Sequence, residues 1–253
     1  MKSLINDYGA EFSKTESFDH SLDVLLEIVE QFGFTQVLYA YQPFSSRLVD
    51  GQWMPLRLNV RNFPKGWYAE WQNYEAHDPY YHACFDQTLP FEWDEVQRSE
   101  TLGTVERQAW QYLADLGLGR GITIPLHLPA GRFAVVSAIL DRSNANWSHI
   151  KESSRDALFR LTHVFHESIH RKGFESQIEV AELVRLSPRE RECLRWAAAG
   201  KTSPETAVII DRSCETVRLH MKNALLKLNV HNRAHAISKA TQLGLLEFDK
   251  GTA

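Results

Sequence analysis

The sequence predicts an α+β chain in two parts. The first is an N-terminal α/β/α sandwich on an antiparallel sheet, and the second is a C-terminal all-α domain of four short helices. Three observations point there. The first half mixes period-two and helical apolar patterns, net charge changes sign along the chain, and helix-capping signals crowd the region after Leu186. The 253 residues suit either one large domain or two ordinary ones, so the division rests on pattern and not on length.

In chain order, "SLDVLLEIVEQFG" sets Leu22, Leu25, Ile28, Val29 and Phe32 at three- and four-residue steps, and Gly33 stops the helix. "FTQVLYAYQP" alternates and is rich in β-branched and aromatic residues; "WMPLRLNVRNFP" alternates through Leu56, Leu58 and Val60. Both read as strands. "GITIPLHL", the turn "PAGR" with Gly131, and "FAVVSAILD" read as a hairpin. "ERQAWQYLADLG" and the run from Ser148 to Lys172 carry helical spacing, so helices flank the sheet. In the last helix Ile150, Leu158, Leu161, Phe165 and Ile169 form an inward stripe, and His163, His166 and His170 are expected on another face, against solvent or a second subunit. Protonation near pH 6 would then weaken the pairing. Residues 1–172 are assigned to the front domain, the mostly polar 173–185 to a linker, and 186–253 to the tail.

With 43% hydrophobic and 24% charged residues and no long apolar run, the chain reads as soluble and cytoplasmic, with no membrane partner. Cys84, Cys193 and Cys214 are far apart and form no CxxC pair, so they indicate neither a disulfide framework nor a cysteine zinc site. The run "HESIH" at 166–170, followed by Gly173, matches the start of a zinc-peptidase signature. A metzincin would place a third histidine where Ser176 stands, and nothing else completes the set. A zinc peptidase is therefore a remote alternative, and no enzyme, cofactor or metal is expected.

Net charge is -4 overall, but from Leu186 onward 11 basic residues face 7 acidic ones, while 17 face 25 in residues 1–185. A basic tail follows an acidic front. In the tail Ser187, Pro188 and Glu190 make a capping box, Gly200 ends that helix, Thr202 or Ser203 starts the next, and Ser213 caps a third running through Leu228. Val217, Met221, Ala224, Leu225 and Leu228 would face a core, leaving Arg218 and Lys222 together on an outer face. Such a helix fits the DNA major groove, where Arg and Lys donate to guanine. Thr216, Lys201, Arg212 and Lys227 are candidate phosphate contacts. The same spacing also fits a plain helical bundle with a solvated charged face.

The run "LSPRERECLRW…GKTSPETA…SCETVRLHMKNALLKLNV" closely resembles the helix-turn-helix of LuxR/FixJ-type transcription factors, with Glu190, Leu194, Gly200, Thr216, Val217, His220, Lys227 and Leu228 at the shared positions. Thr206 departs from the usual Ile, and Pro204 ahead of it is unusual. The front segments "NFPKGWYAEWQNYEAHDPYYHACFDQTLPFEWDEV" and "ADLGLGRGITIPLHLPAGRFAVVSAILD" resemble the autoinducer-binding domain of quorum-sensing LuxR-type regulators. That resemblance implies an N-acyl or N-aroyl homoserine lactone as ligand. It implies that the Trp67 indole donates to the lactone carbonyl, Asp78 accepts the ligand amide N–H, and Trp93 stacks over the lactone with Gly121 allowing close approach. Ser137 would reach the acyl carbonyl.

Two departures bear on the ligand. Phe63 stands where many members have a tyrosine, so a donor is missing, and Trp71 replaces the tyrosine four residues beyond Trp67, which should shorten or reshape the acyl cavity. The implied partners are double-stranded DNA with a palindromic operator, a second copy of the chain, and RNA polymerase. The alternative within this class is a regulator answering a non-lactone small molecule, such as a plant compound, or no ligand. A response-regulator output protein would share the tail but needs an alternating parallel front, which the pattern does not offer.

Overall fold

The computed structural model describes residues 8–43, 56–141, 144–178 and 184–246. It forms two compact units, and each is described by itself.

The front unit opens with α1 (Tyr8–Ser13) and α2 (Phe18–Glu30). Ser17 caps α2 by accepting from the His20 N–H, and Gly33 follows with φ 96°, a left-handed backbone suited to glycine. Then come β1 (Gln36–Gln42), β2 (Asn59–Arg61), α3 (Trp67–Trp71), α4 (Pro79–Ala83), β3 (Phe91–Glu92), α5 (Trp93–Gln97) and α6 (Thr104–Asp115). The hairpin β4 (Arg120–His127) and β5 (Phe133–Leu140) leads to α7 (Trp147–Arg171). The five strands form one antiparallel sheet in the order β2-β1-β5-β4-β3. The expected hairpin is present with its turn at Pro129–Gly131, and so is the sheet between helices. The second expected strand is short, Asn59–Arg61, and residues 53–55 of its sequence pattern lie outside the described residues.

Period-two alternation divides the sheet into two faces. Val37, Tyr39 and Tyr41 of β1, Ile122, Ile124 and Leu126 of β4, and Ala134, Val136, Ala138 and Leu140 of β5 pack with α1, α2 and α7 into the main core. The alternate residues Leu38, Thr123, Val135, Ser137 and Ile139 face the other side, where α3 to α6 gather a second aromatic cluster.

The inward stripe of α7 is as expected: Ile150, Leu158, Leu161, Phe165 and Ile169 are buried in the main core. The histidine face is not. His166 is buried, and its Nδ1 lies 2.9 Å from the Tyr39 hydroxyl. Its place one turn beyond buried Thr162 and three residues before Ile169 puts it on the sheet side. His163 lies against the Phe159 carbonyl at 2.8 Å, and His170 pairs with Glu175 at 3.0 Å, both on exposed side chains. The three imidazoles therefore do not form one exposed face.

The expected linker also begins later than Gly173. A 3-10 turn over Phe174–Gln177 follows Gly173 at φ 68°, the Gln177 Oε1 accepts the Phe18 N–H at 2.8 Å, and Ile178 is buried in the main core. Residues 179–183 lie outside the described set. Just before the turn, Lys172 Nζ donates to the carbonyls of Phe12, Ser13 and Thr15 at 2.5, 2.9 and 2.6 Å. These carbonyls lie at and just beyond the C-terminus of α1, so the end of α7 locks α1 in place.

The tail unit holds four helices: α8 (Pro188–Ala198), α9 (Ser203–Ile209), α10 (Cys214–Lys227) and α11 (Arg233–Gln242). Each begins at a side-chain cap, namely Ser187, Thr202, Ser213 and Asn232. Val217, Met221 and Ala224 of α10 and its C-cap Leu228 are buried, as are Leu194 of α8 and Ala236 of α11, while Leu225 is only half-buried. Thr206 is buried at 1% exposure, and Pro204 sits in the first turn of α9 where a proline does no harm.

Candidate functional site

On the far face of the sheet lies a cavity walled by Leu38, Leu56, Leu58, Leu113, Val135 and Ile139, with Phe63, Trp67, Trp71, Tyr80, Tyr81 and Trp93 supplying rings. Asp78, Thr123 and Ser137 supply most of its polarity. Its volume is about 490 Å³, including the part open to solvent. That is a narrow apolar slot with few polar groups, the usual build of a small-molecule site. Of the seven residues expected at a ligand, Phe63, Trp67, Trp71, Asp78, Trp93 and Ser137 line it.

The seventh, Gly121, packs behind the wall: a Cβ there would lie 2.9 Å from the Trp93 ring. Only glycine lets β4 come this close to the indole. Trp93 is also stacked by Tyr80, with centroids 4.1 Å apart and planes at 14°. Gln97 holds the Tyr80 hydroxyl at 2.8 Å. The expected free stacking face of Trp93 is thus taken by a protein ring. Its indole N–H donates to Thr123 Oγ1 at 2.8 Å, and Thr123 Oγ1 lies 2.8 Å from Ser137 Oγ.

Asp78 caps α4, its Oδ1 accepting the N–H groups of Tyr80 and Tyr81 at 2.9 and 3.2 Å. Among the described residues no donor reaches Oδ2. Although part of the residue reaches the surface, the carboxyl group is enclosed, and burial pushes its pKa up to about 6 against the opposing pull of the two N–H groups. Trp67 starts α3, and its own carbonyl accepts from the Tyr112 hydroxyl at 2.7 Å. Its indole ring packs 4.9 Å from Phe63 and 6.2 Å from Trp71. Trp71 is almost wholly buried and closes that wall with a bulky ring.

Tyr80 and Thr123 are two hydroxyl-bearing residues of the site that sequence reasoning missed. Thr123 had a signal, because period-two alternation in "GITIP" puts it on the face of Gly121, and it pairs directly with Ser137. Tyr80 had none.

In the tail unit, Arg218 and Lys222 are exposed on one face of α10, four residues apart, and Arg218 is 3.3 Å from the exposed Glu215. Thr216 is half-buried with its hydroxyl 2.8 Å from Ser213 Oγ, so it serves the helix cap. Arg212 is exposed and donates to the Asp211 carbonyl at 2.7 Å. Lys201 lies 3.9 Å from Glu205. Lys227 differs from the expectation of a phosphate contact. Its Nζ holds the buried Glu190 carboxylate at 2.8 and 3.0 Å, joining α10 to the start of α8. Burial works to raise the Glu190 pKa, but hydrogen bonds from Lys227 and the Ser187 N–H hold it below the ordinary value.

The "HESIH" residues go separate ways: His166 to Tyr39, Glu167 to Arg171 at 2.6 Å, and His170 to Glu175. Among the described residues no three metal-binding side chains gather, and no helix is long and apolar enough to cross a membrane.

A small-molecule cavity on an antiparallel sheet, carried on one chain with a four-helix DNA-binding tail, defines a one-component transcriptional regulator. Residues 17–169 match the family model described as an autoinducer binding domain, and residues 184–240 match bacterial regulatory proteins of the luxR family. The chain belongs to this LuxR family of regulators, with an autoinducer-binding domain followed by a DNA-binding helix-turn-helix. Similar proteins include the transcriptional activator AnoR of Acinetobacter nosocomialis, 29% identical over 97% of this chain and 100% of that one. The quorum-sensing regulator RhlR of Pseudomonas aeruginosa is 33% identical over 73% of this chain and 74% of its own. Among solved structures, SdiA in complex with octanoyl-rac-glycerol shares the fold with a TM-score of 0.65, at 22% identity and covering 98% of this chain and 97% of that one.

Proposed function

We propose that this chain is a cytoplasmic, homodimeric quorum-sensing transcription factor whose front unit binds an N-acyl or N-aroyl homoserine lactone and whose tail binds a palindromic operator. One observation carries the ligand reading: a single apolar slot brings together Asp78, an acceptor, with Ser137 and Trp67, both donor-bearing. An amide N–H with carbonyls on either side complements that set, and the apolar walls suit the acyl group. The quorum-sensing role stated in the name of RhlR supports the same reading. Trp71 and Phe63 favour a short or flat acyl group over a long chain. Binding should raise the melting temperature of the full chain, since a ligand at 100 times its Kd stabilises by about 2.7 kcal/mol. A panel of lactones tests this, together with mass spectrometry of small molecules that co-purify from cells making candidate signals. No shift with any lactone, and a non-lactone compound in the purified protein, would overturn it.

The carboxyl of Asp78 gives this binding a pH dependence. A ligand N–H needs the ionised form as acceptor, and with a pKa of about 6 that form dominates at pH 7 and is scarce at pH 5. Affinity is expected to be about tenfold weaker at pH 5 than at pH 7. Titration calorimetry at both values checks it; equal affinities would remove Asp78 as the N–H acceptor.

Two-fold pairing would set two copies of α10 about one DNA turn apart, with Arg218 and Lys222 reading bases and Lys201 and Arg212 touching phosphates. RNA polymerase is then the natural further partner of an operator-bound dimer. Arg218→Ala should lose about 1 to 3 kcal/mol of discrimination at one operator position. Binding measured across single-base operator variants decides it, because a uniform loss on every sequence would make Arg218 a phosphate contact.

A further inference from the structure

We propose that Thr123 is a positioning residue that takes the Trp93 indole N–H and thereby turns Ser137 into a hydrogen-bond donor aimed into the cavity. The inference rests on the reading of this cavity as a signal site, and it adds the reason why Ser137 donates there. An indole nitrogen only donates, so across 2.8 Å Thr123 Oγ1 is the acceptor of the Trp93 N–H. Thr123 is 1% exposed, and its own proton cannot turn to bulk water. Ser137 Oγ, its direct cross-strand neighbour at 2.8 Å, is the acceptor within reach among the described residues. Ser137 therefore receives the Thr123 proton. That leaves the Ser137 proton free, and Ser137 lines the cavity. The polarity runs in one direction, from Trp93 through Thr123 and Ser137 to the ligand.

This one-way chain selects for ligand chemistry. With Asp78 accepting and Ser137 donating inside one slot, a ligand presenting a carbonyl oxygen to Ser137 satisfies both, and one lacking an acceptor there leaves a buried hydroxyl proton unpaired. Without Thr123 the chain has no direction. Ser137 Oγ then lacks the donor that fixes its rotor, its proton is no longer pre-set toward the ligand, and the hydrogen bond to the carbonyl weakens. The arrangement also compensates for Phe63, which brings no hydroxyl to this wall.

The test compares full-length wild type, Thr123→Ser, Thr123→Val, Ser137→Ala and the Thr123→Val/Ser137→Ala double variant. In a ligand-free arm, NMR follows exchange of the Trp93 indole proton, assigned with Trp93→Phe, and of the Thr123 hydroxyl proton. The indole proton should exchange slowly in wild type, Thr123→Ser and Ser137→Ala, and fast in Thr123→Val. The Thr123 hydroxyl proton should be protected in wild type and lose protection in Ser137→Ala. A slow indole proton in Thr123→Val, or a Thr123 hydroxyl indifferent to Ser137→Ala, overturns the relay. In a binding arm, the probes are N-butanoyl to N-dodecanoyl and N-cinnamoyl homoserine lactones. For the tightest of them Thr123→Val and Ser137→Ala should each cost about tenfold, one hydrogen bond's worth. The double variant should cost no more than either, and Thr123→Ser should restore wild-type affinity. Losses that multiply in the double variant overturn the proposal. If no probe binds wild type, the lactone reading fails, and the exchange arm still decides the relay.

Discussion

Asp78→Asn is expected to give a chain that is more stable without a signal and blind to it. The asparagine can keep the cap on α4, because its side-chain oxygen can accept the Tyr80 and Tyr81 N–H groups as Oδ1 does now, and Asn is as good an N-cap as Asp. What changes is the charge. The carboxyl has a folded pKa of about 6, above its ordinary 3.8. A carboxyl raised in this way contributes stability that is full below 3.8 and is lost as pH rises through 6, because the folded chain holds the proton more tightly than the unfolded one. At pH 7.5 the ligand-free front unit therefore carries a penalty of up to about 3 kcal/mol, and the asparagine removes it. The bound state suffers the reverse: a charge-assisted hydrogen bond worth about 1.5 to 3 kcal/mol disappears. If the new NH2 group faces the ligand N–H, donor meets donor, so affinity should fall by about 100-fold or more. Thermal melts from pH 4 to 8, with and without lactone, show both effects. A wild-type melt flat with pH beside a variant that keeps its affinity would sink the account.

How much of this was readable from the sequence depended on the length of the element. The helix Phe18–Glu30, the hairpin and α7 carry periodic apolar patterns over many residues, and each stands where its pattern puts it. Segments α3, α4 and α5 are five residues each, too short for a period to show. Their positions are fixed by rings that meet in space, such as Tyr80 on Trp93. The cavity residues were found through a resemblance and not through a pattern, and a resemblance cannot see that Trp93 spends one face on Tyr80. His166 failed for another reason. Its helical position already placed it beside Thr162 and Ile169 on the buried side, but a polar side chain reads as solvent-facing until a partner such as the Tyr39 hydroxyl is known.

Lys227 shows the same limit, and it supports the second large prediction. A lysine near the end of α10 looks alike in sequence whether it touches a phosphate or a carboxylate 37 residues earlier in the chain. The two roles predict different losses. As a phosphate contact, Lys227→Met would lower the salt dependence of DNA binding by about one counterion and leave stability alone. As the partner of Glu190, its loss strands a carboxylate whose side chain is 5% exposed, leaving the Ser187 N–H at 2.8 Å as its remaining hydrogen-bond donor among the described residues. Breaking a buried pair in this way costs about 3 to 5 kcal/mol, and because the lysine side is 43% exposed we expect somewhat less, about 2 to 4 kcal/mol. Acidity separates the cases further. Glu190 is held below its ordinary pKa in the fold, so its contribution is complete above the unfolded value near 4.5 and is lost as pH falls through the lower folded one. Lys227→Met should erase that acid-side loss along with the stability itself. Removing the charge from both ends, as Glu190→Gln with Lys227→Met, leaves no stranded ion and should recover most of the deficit. Urea unfolding of the full chain, followed through tail-unit signals, reads all four states of the cycle. Single losses that add in the double variant would return Lys227 to the DNA.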